Sequence, residues 1–219
     1  MAYFPIFIEI EKKKCLVIGG GKVALRKIET LLRYGAQVQV ISREVCGEIR
    51  ALLTPENIYE GDLTAAPAEY FSGAVLVIAA TGSREVNHQA AVCCHENGIP
   101  VNVADAPEEC SFFFPAVVKK GDISIGINTG GKSPSVSSQV RRDIEEAVPD
   151  YYGDIAEQLG HLREYVKSHV EREADRRAIL KQAAAATFRQ ERTLSRSEIN
   201  TMIRQVLNHG TVSGGPVGH

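Results

Sequence analysis

No stretch of the chain approaches the roughly 20 apolar residues that a membrane-spanning helix needs, so no span is predicted. The opening MAYFPIFIEIEKKK has no basic segment ahead of its apolar run, so no secretory leader is expected. Charge of one sign is lacking too: 25 Lys and Arg stand against 27 Asp and Glu, a net charge of −2. That balance excludes the broad basic surface of a general nucleic-acid binder. Cysteine is sparse. Cys15, Cys46, Cys93, Cys94 and Cys110 form an odd, scattered set without paired metal-ligand spacing, which predicts a reduced, cytoplasmic protein. The six histidines are dispersed, and no HExxH, Ser-His-Asp order or Cys-His cluster occurs, so no metal site is expected. No internal repeat is found either.

What is there suits a globular chain with a real core: 219 residues, 44% hydrophobic and 24% charged. That length fits one large domain or a medium one with an appendage. Charge is unevenly placed. Residues 1–150 hold 15 basic against 19 acidic side chains, and residues 151–219 hold 10 against 8, eight of the ten being arginine. The excess points either to an anionic ligand near the C-terminal part or to a solvated helical surface of mixed charge.

The first hundred residues alternate short apolar runs with helical patterns. KCLVIG, AQVQVIS, GAVLVIAAT and IPVNVAD read as strands, with a weaker one at NIYEGD. KVALRKIETLLRYG and REVNHQAAVCCHENG read as helices closed by Gly35 and Gly98. Helices of this length between strands predict right-handed crossovers and a parallel, Rossmann-like sheet over residues 1–112. After Pro107 the rhythm changes. SFFFPAVVKKGDISIGINTGG predicts an antiparallel strand pair turning at Lys120–Asp122, and Ser133-Pro134 opens a helix that Pro149 ends. Residues 113–149 thus form a small α+β segment. Residues 150–209 keep only helical periodicity and predict a helical domain, and 210–219 read as a flexible tail.

Gly19, Gly21 and Ala24 satisfy G-x-G-x-x-[GA] after a strand and at the start of a helix. Bare backbone there turns tightly and lets a pyrophosphate reach free N–H groups at the positive end of the helix. A dinucleotide seat and a glycine-rich packing turn both remain open on this pattern alone. The acidic residue expected at the end of the second strand is displaced: Ser42, Arg43 and Glu44 stand there. Glu44 suits a ribose hydroxyl and Arg43 a 2′-phosphate, which leaves NAD against NADP open. The small residues Ala79–Gly82, with Thr81 among them, keep a crevice open at a strand end, and Ser83 suits a helix N-cap. Asp105, just past the fifth strand, is either a proton-handling carboxylate or the cap of the turn before Pro107. NTGGKSP lacks the spacing of a P-loop and reads as a connection with Lys132 suited to an anion.

Taken in order, PIFIEIEKKKCLVIGGGKVALRK, VIAATGSREVN, VNVADAPEECSFFFPA and INTGGKSPSVSSQVRRDIE resemble the precorrin-2 dehydrogenase family, whose members include the N-terminal module of siroheme synthase. The resemblance covers residues 1–150. It implies NAD-dependent oxidation of precorrin-2 to sirohydrochlorin, with Fe²⁺ as a further substrate in members that also act as ferrochelatases. It also implies a homodimer joined through the segment after the Rossmann-like domain, and a helical domain that helps bind the tetrapyrrole. On the matching motifs, Asp105 is the catalytic aspartate. Gly19, Gly20, Gly21, Lys22 and Val23, then Ser42, Arg43 and Glu44, line the nucleotide in the family, and Thr81, at the open strand end, is a further candidate cofactor contact. Asn128, Thr129, Lys132, Arg141 and Arg142 are candidate contacts to the carboxylate-rich substrate, for which arginine forks are well suited. The rival reading is a non-catalytic NAD(H)-binding redox-sensing module, which the glycine turn alone allows.

Overall fold

The computed structural model describes residues 3–66 and 68–212. Five strands, β1 (Lys14–Ile18), β2 (Gln37–Ser42), β3 (Ile58–Glu60), β4 (Leu76–Ala79) and β5 (Val101–Val103), form one sheet in the order β3-β2-β1-β4-β5. Every pairing in it is parallel. Three helices connect these strands: α1 (Lys22–Arg33), the short α2 (Gly47–Leu52) and α3 (Arg84–Glu96).

The strand residues form this sheet because both of its faces are covered. Side chains alternate along β1, so Cys15 and Val17 enter one core with Ala24, Ile28 and Leu31 of α1. Leu16 and Ile18 enter the other, with Ala90, Ala91 and Cys94 of α3. Each Val, Leu or Ile among them, fully removed from water, contributes about 1.5–3 kcal/mol. Both helices stop as their glycines predict. Gly35 (φ 72°) donates to Leu32 O and Ala36 to Leu31 O; Gly98 (φ 64°) and Ile99 repeat the pattern on His95 and Cys94. Ser83 Oγ accepts from Val86 N, so it caps α3.

Beyond the sheet come an antiparallel pair, β6 (Ala116–Lys120) with β7 (Ile123–Ile127), and the helices α4 (Pro134–Ala147), α5 (Tyr151–His169), α6 (Glu173–Gln190) and α7 (Arg196–Val212). Two compact units result. One holds residues up to Pro115 together with Asn128–Ser133; the other holds Ala116–Ile127 and the chain from Pro134 onward. The segment 113–149 is therefore shared between them. In the second unit the hairpin turn lies on α5, where a Cβ on Gly153 would stand 2.7 Å from Lys120 O, so only glycine allows that approach. Leu162, Val166, Ile179, Ala183 and Val206 fill the core of α5, α6 and α7. A capping box starts α7: Ser195 N donates to Glu198 Oε2 and Glu198 N to Ser195 Oγ. Arg192 and Ser195 together hold the Glu198 carboxyl down to about 2. Helix α7 runs through Val212, into the expected tail, and residues 213–219 of that tail lie outside the described residues.

Candidate active site

In a parallel sheet the ligand crevice opens at the carboxyl ends of the strands, where the winding reverses direction. Here that point falls between β1 and β4, the central neighbours in the order β3-β2-β1-β4-β5. The glycine turn follows β1, Ser42 ends β2, Ala80 and Thr81 follow β4, and Asp105 stands two residues past β5. All the nucleotide positions expected from the sequence, and Asp105, therefore gather at one edge of the sheet.

Each glycine of the turn has its own task. Gly19 has φ 125°, and a Cβ on it would stand 2.4 Å from Ala80 O, so it closes β1 against β4. A Cβ on Gly20 would meet Glu44 O at 2.0 Å, so Gly20 admits the segment that follows β2. Only Gly21 faces open space, with nothing within 4 Å of its added Cβ. It is the N-cap of α1 and supplies no capping side chain, so the N–H groups of Lys22 and Val23 at the first turn have no capping partner. This open cradle over a 12-residue helix fits a pyrophosphate in charge and shape.

Around the cradle, Ser42 Oγ donates to Glu44 O at 2.7 Å and fixes that turn. The Glu44 side chain is exposed, and Arg43 is exposed as well, 3.7 Å from Asp62. Thr81 is occupied within its own loop: its N–H donates to Asn87 Oδ1 at 3.0 Å, its hydroxyl lies 2.7 Å from the same oxygen, and Ser83 N donates to that hydroxyl. Asn87, buried on α3, was invisible to sequence reasoning, because a polar residue inside a helical pattern carries no sign of a partner six residues back.

Asp105 adopts left-handed backbone, φ 59°, a conformation that aspartate tolerates better than most residues. It does not cap the turn before Pro107; Ala106 takes the N-cap position of Pro107–Glu109, with no side-chain cap. Among the described residues no protein group hydrogen-bonds its carboxylate, which is exposed. The loop beneath it is firmly built. Ser111 Oγ accepts from Val101 N at 2.7 Å, and Cys110 Sγ accepts from Val103 N at 3.1 Å. Burial pushes the Cys110 thiol up.

The proposed substrate contacts fall in both units. In the first, Asn128 Oδ1 accepts from Gly130 N, Thr129 Oγ1 donates to Ser133 O, and Lys132 is exposed. In the second, Arg141 pairs with Glu145, and Arg142 bonds Ser138 at 3.2 Å and Gln139, all along α4. Among the described residues no group of three or more His, Cys, Asp or Glu could hold a metal ion, and no helix is long and apolar enough to cross a membrane.

A family described as "Putative NAD(P)-binding" matches residues 6–116, just over half of the chain. The chain belongs to this NAD(P)-binding family. Curated relatives extend the likeness. The siroheme synthase of Nitrosomonas eutropha is 36% identical over 177 residues, covering 81% of this chain and 37% of that protein. The siroheme synthase of Vesicomyosocius okutanii is 37% identical, over 81% of this chain and 38% of that protein. That of Photorhabdus laumondii is 36% identical over 86% and 40%. The chain thus spans less than half the length of these relatives. Among solved structures, "SirC, precorrin-2 dehydrogenase" shares the fold with a TM-score of 0.75 at 20% identity, covering 94% of this chain and all of that one. The Rossmann-like domain with a helical part after it is the architecture expected from the sequence.

Proposed function

We propose that the chain oxidises precorrin-2 to sirohydrochlorin with NAD, in the formation of siroheme. The observation that carries this reading is the meeting of an open pyrophosphate cradle at Gly21 with the unbonded carboxylate of Asp105 along one sheet edge. A nicotinamide held there supplies hydride acceptance. The chain's own residues do the rest. Gly21–Val23 seat the pyrophosphate, Ser42–Glu44 face the adenosine ribose, and Asp105 takes the proton that leaves the macrocycle as the hydride departs. The relatives' siroheme synthase name and the precorrin-2 dehydrogenase neighbour support the substrate.

Asn128, Thr129, Lys132, Arg141 and Arg142 contact the substrate's carboxylates in this reading. The ion pair and hydrogen bonds of Arg141 and Arg142 on α4 are exposed links of small value, so those guanidiniums are readily redirected to a ligand. We further propose a homodimer formed through the hairpin and α4, working in the cytoplasm, where the five unpaired thiols stay reduced. Fe²⁺ is a further substrate in this reading: its insertion into sirohydrochlorin displaces two pyrrole protons, which pass one after the other through the Asp105 carboxylate to solvent.

The test is direct. Precorrin-2 and NAD are mixed with the protein and the absorbance of sirohydrochlorin is followed; sirohydrochlorin with Fe²⁺ or Co²⁺ is the second assay. Asp105→Asn is expected to lower turnover by about 10²–10⁴-fold with NAD binding retained. An active Asp105→Asn enzyme refutes the assignment of the base. A wild-type protein that binds NADH yet changes neither spectrum supports the redox-sensing module instead.

A further inference from the structure

Lys27 is the unusual cation of the sheet unit. It sits in the middle of α1, the helix whose first turn forms the cradle, yet its side chain runs inward and is half-buried. Its Nζ donates to Asn102 Oδ1 at 2.8 Å and stands 4.5 Å from the centre of the Phe114 ring. Asn102, buried on β5, passes the contact on: its Nδ2 donates to Phe112 O at 3.0 Å and lies 3.6 Å from Cys110 Sγ. Cys110 Sγ in turn lies 3.4 Å from Ala106 O and 3.3 Å from Val103 O. These links tie both flanks of the Asp105 loop to a single ammonium on the cofactor helix. Among the described residues this ammonium makes no ion pair; its contacts are Asn102 and the Phe114 ring. Its work is done on the loop.

We propose that Lys27 is a positioning residue, which clamps the Asp105 loop to the dinucleotide-binding helix through Asn102 and Phe114. The inference rests on the reading that Asp105 carries the reaction, and it explains how that exposed carboxylate is held in place without a hydrogen bond of its own. The clamp also sets a pH range. Burial lowers the Lys27 pKa to about 8, against the raising influence of Cys110 and Asp105 and with a smaller lowering from Arg26. Those three groups and the Asn102 and Phe114 contacts are what face it. Above that pH the neutral amine loses its attraction to the Phe114 ring and its field at Asp105.

Two variants and two readouts test the clamp. Lys27→Met keeps the aliphatic stem without the charge, and Lys27→Arg keeps the charge at alkaline pH. The first readout needs no substrate: alkylation of Cys110 by iodoacetamide, resolved by mass spectrometry, with Cys93 on α3 as internal control. Lys27→Met is expected to speed Cys110 labelling by about tenfold as the loop opens locally, a gain that outweighs the thiolate lost with the ammonium's lowering influence on Cys110, with Cys93 unchanged. Equal labelling of Cys110 in wild type and Lys27→Met overturns the clamp.

The second readout is kcat for precorrin-2 oxidation against pH. Wild type is expected to lose rate as pH rises through about 8. Lys27→Met falls by about tenfold or more in kcat near neutrality with the KM for NAD nearly unchanged, and lacks the alkaline limb. Lys27→Arg keeps its neutral rate into alkaline solution. Full activity in Lys27→Met, or an alkaline limb that persists in Lys27→Arg, overturns the positioning role, and the arginine variant decides alone should the methionine variant fold poorly. A wild type without turnover but with the expected Cys110 response refutes the catalytic reading of Asp105 and leaves the clamp standing.

Discussion

Asp105 and Lys27 show how differently two residues of one compact unit can be read. Asp105 was legible because its position, immediately past an apolar strand, already places it at the ligand edge of a parallel sheet. Lys27 was not legible. On α1 it looks like one more solvated lysine, and the partner that draws it inward, Asn102, lies 75 residues away. Its burial has a thermodynamic signature that is separate from catalysis. The folded chain releases the Lys27 proton at about 8, the unfolded chain near the ordinary 10.5. Between those values the unfolded state binds more protons, so this group makes the folded state more stable as pH rises. Below that window the desolvation cost of the charge is carried in full, set against the hydrogen bond to Asn102 and the Phe114 contact that hold the loop. Urea unfolding of wild type and Lys27→Met on both sides of the window should therefore shift the stability difference in favour of wild type, by about 1 kcal/mol per pH unit. A pH-independent difference would mean that the ammonium is not buried in solution.

At the scale of the element, the glycine turn divides into tightly packed and open positions that the motif alone leaves merged. G-x-G-x-x-[GA] names Gly19 and Gly21 and passes over Gly20, yet Gly20 makes the closest backbone approach of the three. Gly20→Ala is expected to push the Ser42–Val45 segment away and destabilise the fold by about 1–3 kcal/mol, seen as a lowered Tm. Gly21→Ala enters open space in extended backbone, so Tm should hold. Its methyl then stands where the pyrophosphate approaches, and the Kd for NADH, measured by fluorescence titration, should rise about tenfold or more. A Gly21→Ala protein that binds NADH normally would place the phosphate elsewhere. Strand and helix positions in the sheet unit were readable because apolar period and glycine caps agree there. The loop bond between Thr81 and Asn87 was not, since it joins two polar groups whose partnership only folding creates.

For the whole molecule, the pair β6–β7 forms a sheet of two strands, and α4 has no buried residue among those described. An isolated two-stranded sheet is marginal in water, and its edges invite further pairing. Both features fit a surface completed by a second copy, as the proposed homodimer requires. Light scattering after size exclusion should give a dimer at micromolar concentration. Val136→Asp, at an exposed position of α4, should weaken it by about tenfold or more without lowering the helical content of the protomer. A monomeric wild type would overturn the dimer. By itself the sequence determined the sheet unit, the place of the glycine turn and of Asp105 past the ends of strands, and the change to helices, because periodicity and caps act over neighbouring residues. Only the tertiary structure decided that Gly20 serves packing while Gly21 faces open space, that Asp105 caps nothing, and that Lys27 turns inward. Those facts depend on atoms brought together from distant parts of the chain, and no local pattern records such distances.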